Sequence, residues 1–331
     1  MASGPAGSGA DLEAIERSAV ALAEEAGRLL LDYYRQAIEV EYKDEHRRDP
    51  VTKADREIEE YLARAVRERF PDHAVLGEEG SPGEPAAEYL WVIDPVDGTS
   101  NFVYHLPFFC VSIAVLHRRR PVVAAIFAPG PAELGGGVYH ARLGGGAFLG
   151  DRLIKVASPE PKPVRGLVSL PGFAFGMFRM SGAFARSPGD PRTLGSAALE
   201  LALVAAGVLQ YGLFGSLKIW DVAAGVLLVR EAGGEVLSWR GWLSGWKRLG
   251  AFAAREPSEK DPTGLRGWSE PLLAGGPQVA SFVRAGARPN RHALRRLLRR
   301  AWRLVRREKP RGKQASRRTA GPPAGPQQSG G

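Results

Sequence analysis

One cysteine in 331 residues, Cys110, excludes any intrachain disulfide and any cysteine-rich metal site. That usage fits a reducing compartment, and a cytoplasmic location is expected. Cys110 lies in the apolar run from Phe108 to Leu116 and reads as a small buried hydrophobe, because a reactive thiol needs an accessible, electropositive setting. No apolar run suits a bilayer span: the longest, Ala197 to Phe214, carries Glu200, Gln210 and two glycines. The first ten residues are small and glycine-rich, with neither a basic nor an apolar stretch, so no secretory leader is expected. The histidines (His46, His73, His105, His117, His140 and His292) never fall into H-E-x-x-H or a comparable spacing, which leaves them structural or superficial. Gly144-Gly145-Gly146 lacks the third glycine of a dinucleotide fingerprint, Leu149 standing in its place, and reads as a hairpin turn.

Acid is nearly missing from one end of the chain. Residues 287–331 hold fourteen Lys or Arg against Glu308 alone, a charge of +13 within a total of +9, so the rest of the chain is slightly acidic. Within the basic end, Leu294, Leu297, Leu298, Trp302 and Val305 fall on one helical face between Arg291 and Arg307. Such a helix suits an anionic membrane or nucleic-acid phosphates, contacted through residues 288–318, and it also suits an acidic patch of its own protein. Beyond Pro310 the Pro, Gly, Ser and Gln content predicts disorder.

What is present is an ordinary globular composition, 44% hydrophobic and 24% charged. Helical spacing predicts helices over 11–36 and 54–69, the second stopped before Pro71. Strands are predicted over 89–93, 108–116, 122–127 and 137–141, separated by Pro107, Pro121, Pro129 and Gly130. A further strand over 166–170, a helix from Ser196 to Leu209 and another from Asp221 to Ala232, closed by Gly233-Gly234, complete a layered α/β pattern.

Chemistry concentrates in Trp91-Val92-Ile93-Asp94-Pro95-Val96-Asp97-Gly98-Thr99-Ser100-Asn101, where an apolar strand runs into two aspartates and a small polar turn. Two carboxylates three apart at a strand end can share hard divalent cations such as Mg²⁺, which prefers carboxylate and carbonyl oxygens. Backbone N–H groups from Gly98 to Ser100 can cradle a phosphate where a helix opens. Further acids stand in Asp49-Pro50-Val51-Thr52-Lys53-Ala54-Asp55, in Gly77-Glu78-Glu79-Gly80 and in Trp220-Asp221. Taken singly, an acid at a helix start reads as a cap.

In this order the four segments resemble the inositol monophosphatase family, within its superfamily of metal-dependent, lithium-sensitive phosphatases that includes fructose 1,6-bisphosphatase. The resemblance runs through Gly195-Ser196-Ala197-Ala198 and Glu231-Ala232-Gly233-Gly234 and covers most of residues 11–285. It implies an α-β-α-β-α layered sandwich, an α+β part over 1–150, an α/β part over 151–285 and a basic tail over 286–331. It implies two or three Mg²⁺ ions: a first held by Glu78, Asp94 and the Val96 carbonyl, a second by Asp94, Asp97 and Asp221, and a weaker third assisted by Glu78. It implies that Asp55 and Thr99 orient and deprotonate the attacking water, with Glu79 outside the ligand set. Substrate contacts are implied at Val96, Asp97, Gly98, Thr99, Gly195, Ser196, Ala197 and Asp221.

The activity so implied is hydrolysis of a small phosphate monoester, an inositol monophosphate or related polyol or sugar phosphate, by a homodimer. Fructose 1,6-bisphosphate, histidinol phosphate and 3′-phosphoadenosine 5′-phosphate are alternative substrates. A non-enzymatic alternative is a protein that binds RNA or membrane through its basic tail. The sequence departs from the family at Phe214, where inositol-selective members carry a glutamate for ring hydroxyls. The segment from Ser169 to Arg192 is short, which leaves no room for a helix near the pocket. Lys218 reads as a surface lysine or a contact for a second phosphate. Residues 241–270, with Trp242, Trp246 and Trp268, form an insertion expected to be a surface excursion packed by its own tryptophans, with a dimer or lid element as the other reading.

Overall fold

Leu12, Ile15, Ala19, Leu22, Ala26 and Leu30 share one side of α1 (Gly9–Tyr34) and are buried there, close to the predicted helix and for the predicted reason. The computed structural model describes residues 9–36, 40–42, 50–85, 87–131, 135–157, 166–172, 174–241, 244–259 and 261–290. The expected basic helix over 291–307, the tail beyond it, and Trp242 lie outside the described residues.

A ribbon of β1 (Val40–Tyr42) and β2 (Pro50–Thr52) leads into α2 (Lys53–Arg69). Then come β3 (Ala74–Gly77), β4 (Tyr89–Asp97), the single turn α3 (Thr99–Val103), β5 (Cys110–His117), β6 (Arg120–Ala128), β7 (Gly137–Arg142), β8 (Gly146–Leu149) and β9 (Arg152–Leu153). Strands β3 to β9 form a seven-stranded sheet in sequence order, parallel between β3 and β4 and antiparallel elsewhere. Gly144 to Gly146 form the predicted hairpin turn, with Gly145 N donating to Arg142 O at 2.8 Å.

The chain continues through β10 (Leu167–Ser169), α4 (Ala174–Met177), β11 (Phe178–Met180), α5 (Gly182–Arg186), β12 (Asp190–Arg192), α6 (Ala197–Ala205), β13 (Tyr211–Leu217) and α7 (Ile219–Glu231). It ends with β14 (Glu235–Trp239), β15 (Trp246–Arg248), β16 (Glu270–Gly275), α8 (Pro277–Gly286) and β17 (Ala287–Pro289). A six-stranded sheet has the order β12-β10-β13-β16-β14-β15, and β11 pairs with β17.

Three apolar cores stack these elements into α-β-α-β-α layers. Trp91, Ile93, Val111 and Ile113 face α1 and α2, whereas Leu90, Val92, Ala114 and Leu116, on the opposite side of the same strands, face α6 and α7. Phe214, Val236 and Leu272 of the second sheet close that middle core from the far side, and Leu213, Leu237 and Leu273 turn outward to α5 and α8. A sheet covered on both faces needs near-continuous apolar strands, which is why β4 and β5 read as unbroken hydrophobic runs.

Three expectations are corrected. The helix predicted to Leu209 ends at Ala205, because the chain turns at Gly207 with φ 73°, where a Cβ would meet Lys155 O at 2.8 Å. The short segment between Ser169 and Arg192 still holds a one-turn helix, α4, beside the pocket described below. The stretch 241–270 is not a surface excursion packed by its own tryptophans. Trp268, 2% exposed, packs edge-on against Phe252 in the middle core, and Trp246 joins the second sheet, sends its Nε1–H to Ala287 O and packs on Trp239. Burial of Leu249, Phe252 and Leu265 beside Trp268 outweighs the charges and glycines that suggested a loop.

Candidate functional site

Strand β4 ends in a bulge between Asp94 and Asp97, at Pro95, which has no N–H for the ladder. Val96 N returns instead to Asp94 Oδ1 at 3.1 Å, and Gly98, at φ 90°, turns the chain into α3. Only glycine suits that position: a Cβ there would lie 2.8 Å from Phe108 O and 3.1 Å from the Ser196 Cβ. Asn101 stitches the turn to its distant neighbour, donating from Nδ2 to Phe108 O at 2.6 Å and to Leu194 O at 2.7 Å.

Carboxylate oxygens of Glu78, Asp94 and Asp221 lie within 4.8 Å of one another. Glu78 follows β3, Asp94 belongs to β4 and Asp221 to the first turn of α7, so the cluster joins the first sheet to a helix of the middle layer. Burial, then Glu78, Asp97 and Asp221, push the Asp94 carboxyl well above its ordinary range. Burial and Asp97 do the same to Asp221, opposed by the Lys218 N–H. Oxygen donors that repel one another in a buried setting suit a hard divalent cation. Asp221 also accepts from Lys218 N at 2.8 Å, so it serves as a helix cap and as a member of the cluster at once.

Asp97 faces another way. Its Oδ2 accepts from Ser196 Oγ at 2.5 Å and from Ala198 N at 2.7 Å, at the start of α6, with Cys110 Sγ at 3.7 Å. Burial raises its pKa, and those donors counter the rise. Asp97 is not among the three acids whose oxygens converge within 4.8 Å. Cys110 is fully buried and burial pushes its thiol up, as expected of a small hydrophobe.

Asp55 caps α2, its Oδ2 accepting from Thr52 N at 2.8 Å and Thr52 Oγ1 at 2.6 Å. Thr99 Oγ1 lies 3.3 Å from Asp55 Oδ1 and 2.9 Å from Val96 O. A hydroxyl has one proton, so Thr99 can donate to one of the two at a time.

A cleft of about 390 Å³ gathers these groups. Glu78, Asp94, Val96, Asp97, Gly98, Thr99 and Asp221 line one part, and Gly195, Ser196 and Ala197 come from the turn before α6. All the expected site residues except Asp55 line it, and Asp55 lies behind Thr99. Phe214, Met177, Pro171 and Leu217 supply an apolar part. Two polar side chains nearby are already engaged: Thr193 Oγ1 donates to Leu170 O at 2.6 Å, and Glu200 accepts from Leu194 N, Gly195 N and Ser169 Oγ. Lys218 is exposed and is not one of the lining residues, which favours its reading as a surface lysine.

Sequence reasoning missed Glu59, Glu200 and Arg266. Glu59 accepts from Glu79 N at 2.6 Å and Ser81 N at 2.8 Å, and its signal was an acid on the apolar face of α2, beside Ile58 and Leu62. Glu200 had the same signal within α6. Arg266 donates to carbonyls around Glu78 and had no local signal.

A family model described as the inositol monophosphatase family matches residues 11–263. The chain is 37% identical over 229 residues to Nus factor SuhB of Xylella fastidiosa, covering 67% of this chain and 81% of that one. It is 36% identical over 198 residues to the chloroplastic phosphatase IMPL1 of Arabidopsis thaliana, covering 57% of this chain and 53% of that one. Among solved structures, an IMPase from Thermotoga maritima superposes with a TM-score of 0.63 at 26% identity, covering 82% of this chain and 97% of that one.

Proposed function

The chain belongs to the inositol monophosphatase family, and from that premise we propose that it hydrolyses a small phosphate monoester with the help of Mg²⁺. The observation that carries this reading is the meeting of Glu78, Asp94 and Asp221 within 4.8 Å in a cleft that also holds the turns at Gly98 and Gly195. In this reading two or three ions are held by Glu78, Asp94, the Val96 carbonyl, Asp97 and Asp221. Magnesium, when bound, supplies positive charge to the phosphoryl oxygens and the leaving oxygen and acidifies water.

The chain's own groups do the rest. Backbone N–H groups of the turn at Gly98–Thr99 hold the phosphoryl oxygens, and the turn at Gly195–Ala197 lines the same cleft. Thr99 Oγ1 accepts a proton from the attacking water as it passes its own to Asp55, so the carboxylate acts as the base through one hydroxyl. The water oxygen bonds to phosphorus, the ester oxygen leaves with its electron pair, and it takes a proton from solvent. No covalent enzyme intermediate is required.

Inositol monophosphate and related polyol or sugar phosphates are the proposed substrates. Phosphate release from a panel that adds fructose 1,6-bisphosphate, histidinol phosphate and 3′-phosphoadenosine 5′-phosphate tests this. Turnover should need Mg²⁺, stop in excess chelator and fall with lithium; full activity in chelator would remove the reading. A homodimer is proposed as well, and the exposed apolar side chains Tyr104, Leu106 and Phe108, beside α3, are the surface that favours it. Light scattering of the purified protein tests that assembly.

A second reading rests on the +13 charge of residues 287–331: contact with anionic membrane or nucleic acid through residues 288–318. Binding to anionic vesicles and to RNA, each across a salt series, separates the two partners.

A further inference from the structure

The loop that carries Glu78 is gripped from two sides. Two of its donors go to an acid: Glu59 accepts from Glu79 N at 2.6 Å and from Ser81 N at 2.8 Å. Its acceptors go to a base, since Arg266 donates from Nη2 to Gly77 O at 2.6 Å and to Ser81 O at 3.0 Å, and from Nη1 to Glu78 O at 3.1 Å. One guanidinium thus holds three carbonyls of a single tight turn, which suits a planar fork and not a point charge. The same guanidinium carbon lies 5.3 Å from the ring centroid of Trp220, the residue before Asp221.

Arg266 is itself held firmly. Asp261 accepts from Arg266 N at 3.2 Å, Gly267 N at 2.9 Å and Thr263 Oγ1 at 3.1 Å, and on either side Leu265 and Trp268 are buried in the middle core. The side chain therefore starts from a rigid base and reaches two segments that each deliver one carboxylate to the cluster. Neither Glu78 nor Asp221 touches the other's chain segment through a regular strand pairing, because β3 pairs only with β4 among the described residues and Asp221 is on a helix.

We propose that Arg266 is a positioning residue that fixes the placement of Glu78 relative to Asp221, so that the three carboxylates are already convergent when a divalent cation arrives. The proposal rests on the metal-dependent reading of the site given above. Preorganisation lowers the cost of assembling ligands at the moment of binding, so its loss should show first in cation affinity.

The test is isothermal titration of Mn²⁺ and of Mg²⁺ into the full chain without substrate, for the parent protein, Arg266→Met and Arg266→Lys. Methionine keeps much of the apolar stem and removes every donor; lysine keeps the charge and loses the fork. The dissociation constant should rise about 10–100-fold in Arg266→Met, the range found when groups supporting metal ligands are removed. Arg266→Lys should recover only part of that loss, and the Mg²⁺ concentration for half-maximal turnover should rise in step while kcat at saturating Mg²⁺ recovers. Unchanged cation affinity in either folded variant overturns the proposal, as does a kcat that stays low at saturating cation with affinity intact. If Arg266→Met does not fold, the lysine variant decides alone. A parent protein that binds neither cation overturns the metal-dependent reading itself, whereas parental binding with unaltered variants overturns only the role of Arg266.

Discussion

Ser196 Oγ donates to Asp97 Oδ2 at 2.5 Å, so a side chain at the start of α6 sets the direction of a carboxylate at the end of β4. Both groups are buried, Ser196 at 1% exposure and Asp97 at 8%. Ser196→Ala removes one donor from a buried carboxyl group and leaves Ala198 N in place, which should cost about 1–3 kcal/mol of stability. Urea unfolding of both forms measures it, and a loss below a few tenths would show that the bond contributes little. Turnover should fall too, because Asp97 then loses one of the donors that favour its charged form.

Asp94 lies among Glu78, Asp97 and Asp221, while the Glu79 backbone is held by Glu59. Asp94→Asn should therefore lower kcat/KM by about 10²–10³ or more, the scale of losing one electrostatic stabiliser, and Glu79→Gln by far less. Equal, mild effects in a phosphate-release assay would contradict a site built on Asp94.

Phe214 stands in the apolar part of the cleft, where Thr193 and Glu200 are already engaged. Phe214→Glu should shift kcat/KM toward inositol 1-phosphate over a simple aryl phosphate. A carboxylate there can accept from ring hydroxyls, and an ester lacking them leaves it unpaired at about 1–3 kcal/mol. The ratio of the two kcat/KM values, measured on both proteins, decides it. An unmoved ratio would place the leaving alcohol elsewhere.

His140 ties β7 to α1, with Nδ1 2.8 Å from Glu16 Oε1 and Nε2 3.0 Å from Gly150 O. Burial disfavours the charged ring, but Glu16 and the Gly150 carbonyl outweigh it and raise the pKa above 6.5. A raised histidine pKa adds stability that is complete below the unfolded value and fades as pH rises through the folded one. The melting-temperature gap between the parent and His140→Gln should thus be wider near about pH 5.5 than near about pH 8.5. An equal gap at both would mean that the ring titrates alike in the folded and the unfolded chain.

The acidic and turn segments were legible because their chemistry is local: Asp94 to Asn101 fold as one bulge, turn and short helix. The two long N-terminal helices were legible from periodicity, and the strands from Tyr89 to Arg142 from apolar runs cut by turn residues. Arg266 was not, since it meets the Glu78 loop across 188 residues and no spacing rule links such partners. Trp268 misled for a related reason, as glycines and charges around it hid a buried aromatic. The cap reading of Asp55 and Asp221 holds in full, yet capping did not keep Asp221 out of the acid cluster, or Asp55 away from Thr99.

Glu78, Asp94 and Asp221 come from distant points of the chain and converge only once the first sheet has received α7 against it. A partly folded chain, with that helix undocked, has no place where all three acids meet. Cations then favour the finished structure and not the species on the way to it. On the proposed metal-dependent reading, added Mg²⁺ should accordingly leave the refolding rate nearly unchanged and lengthen the lifetime of the folded protein, protection that shows as slower unfolding.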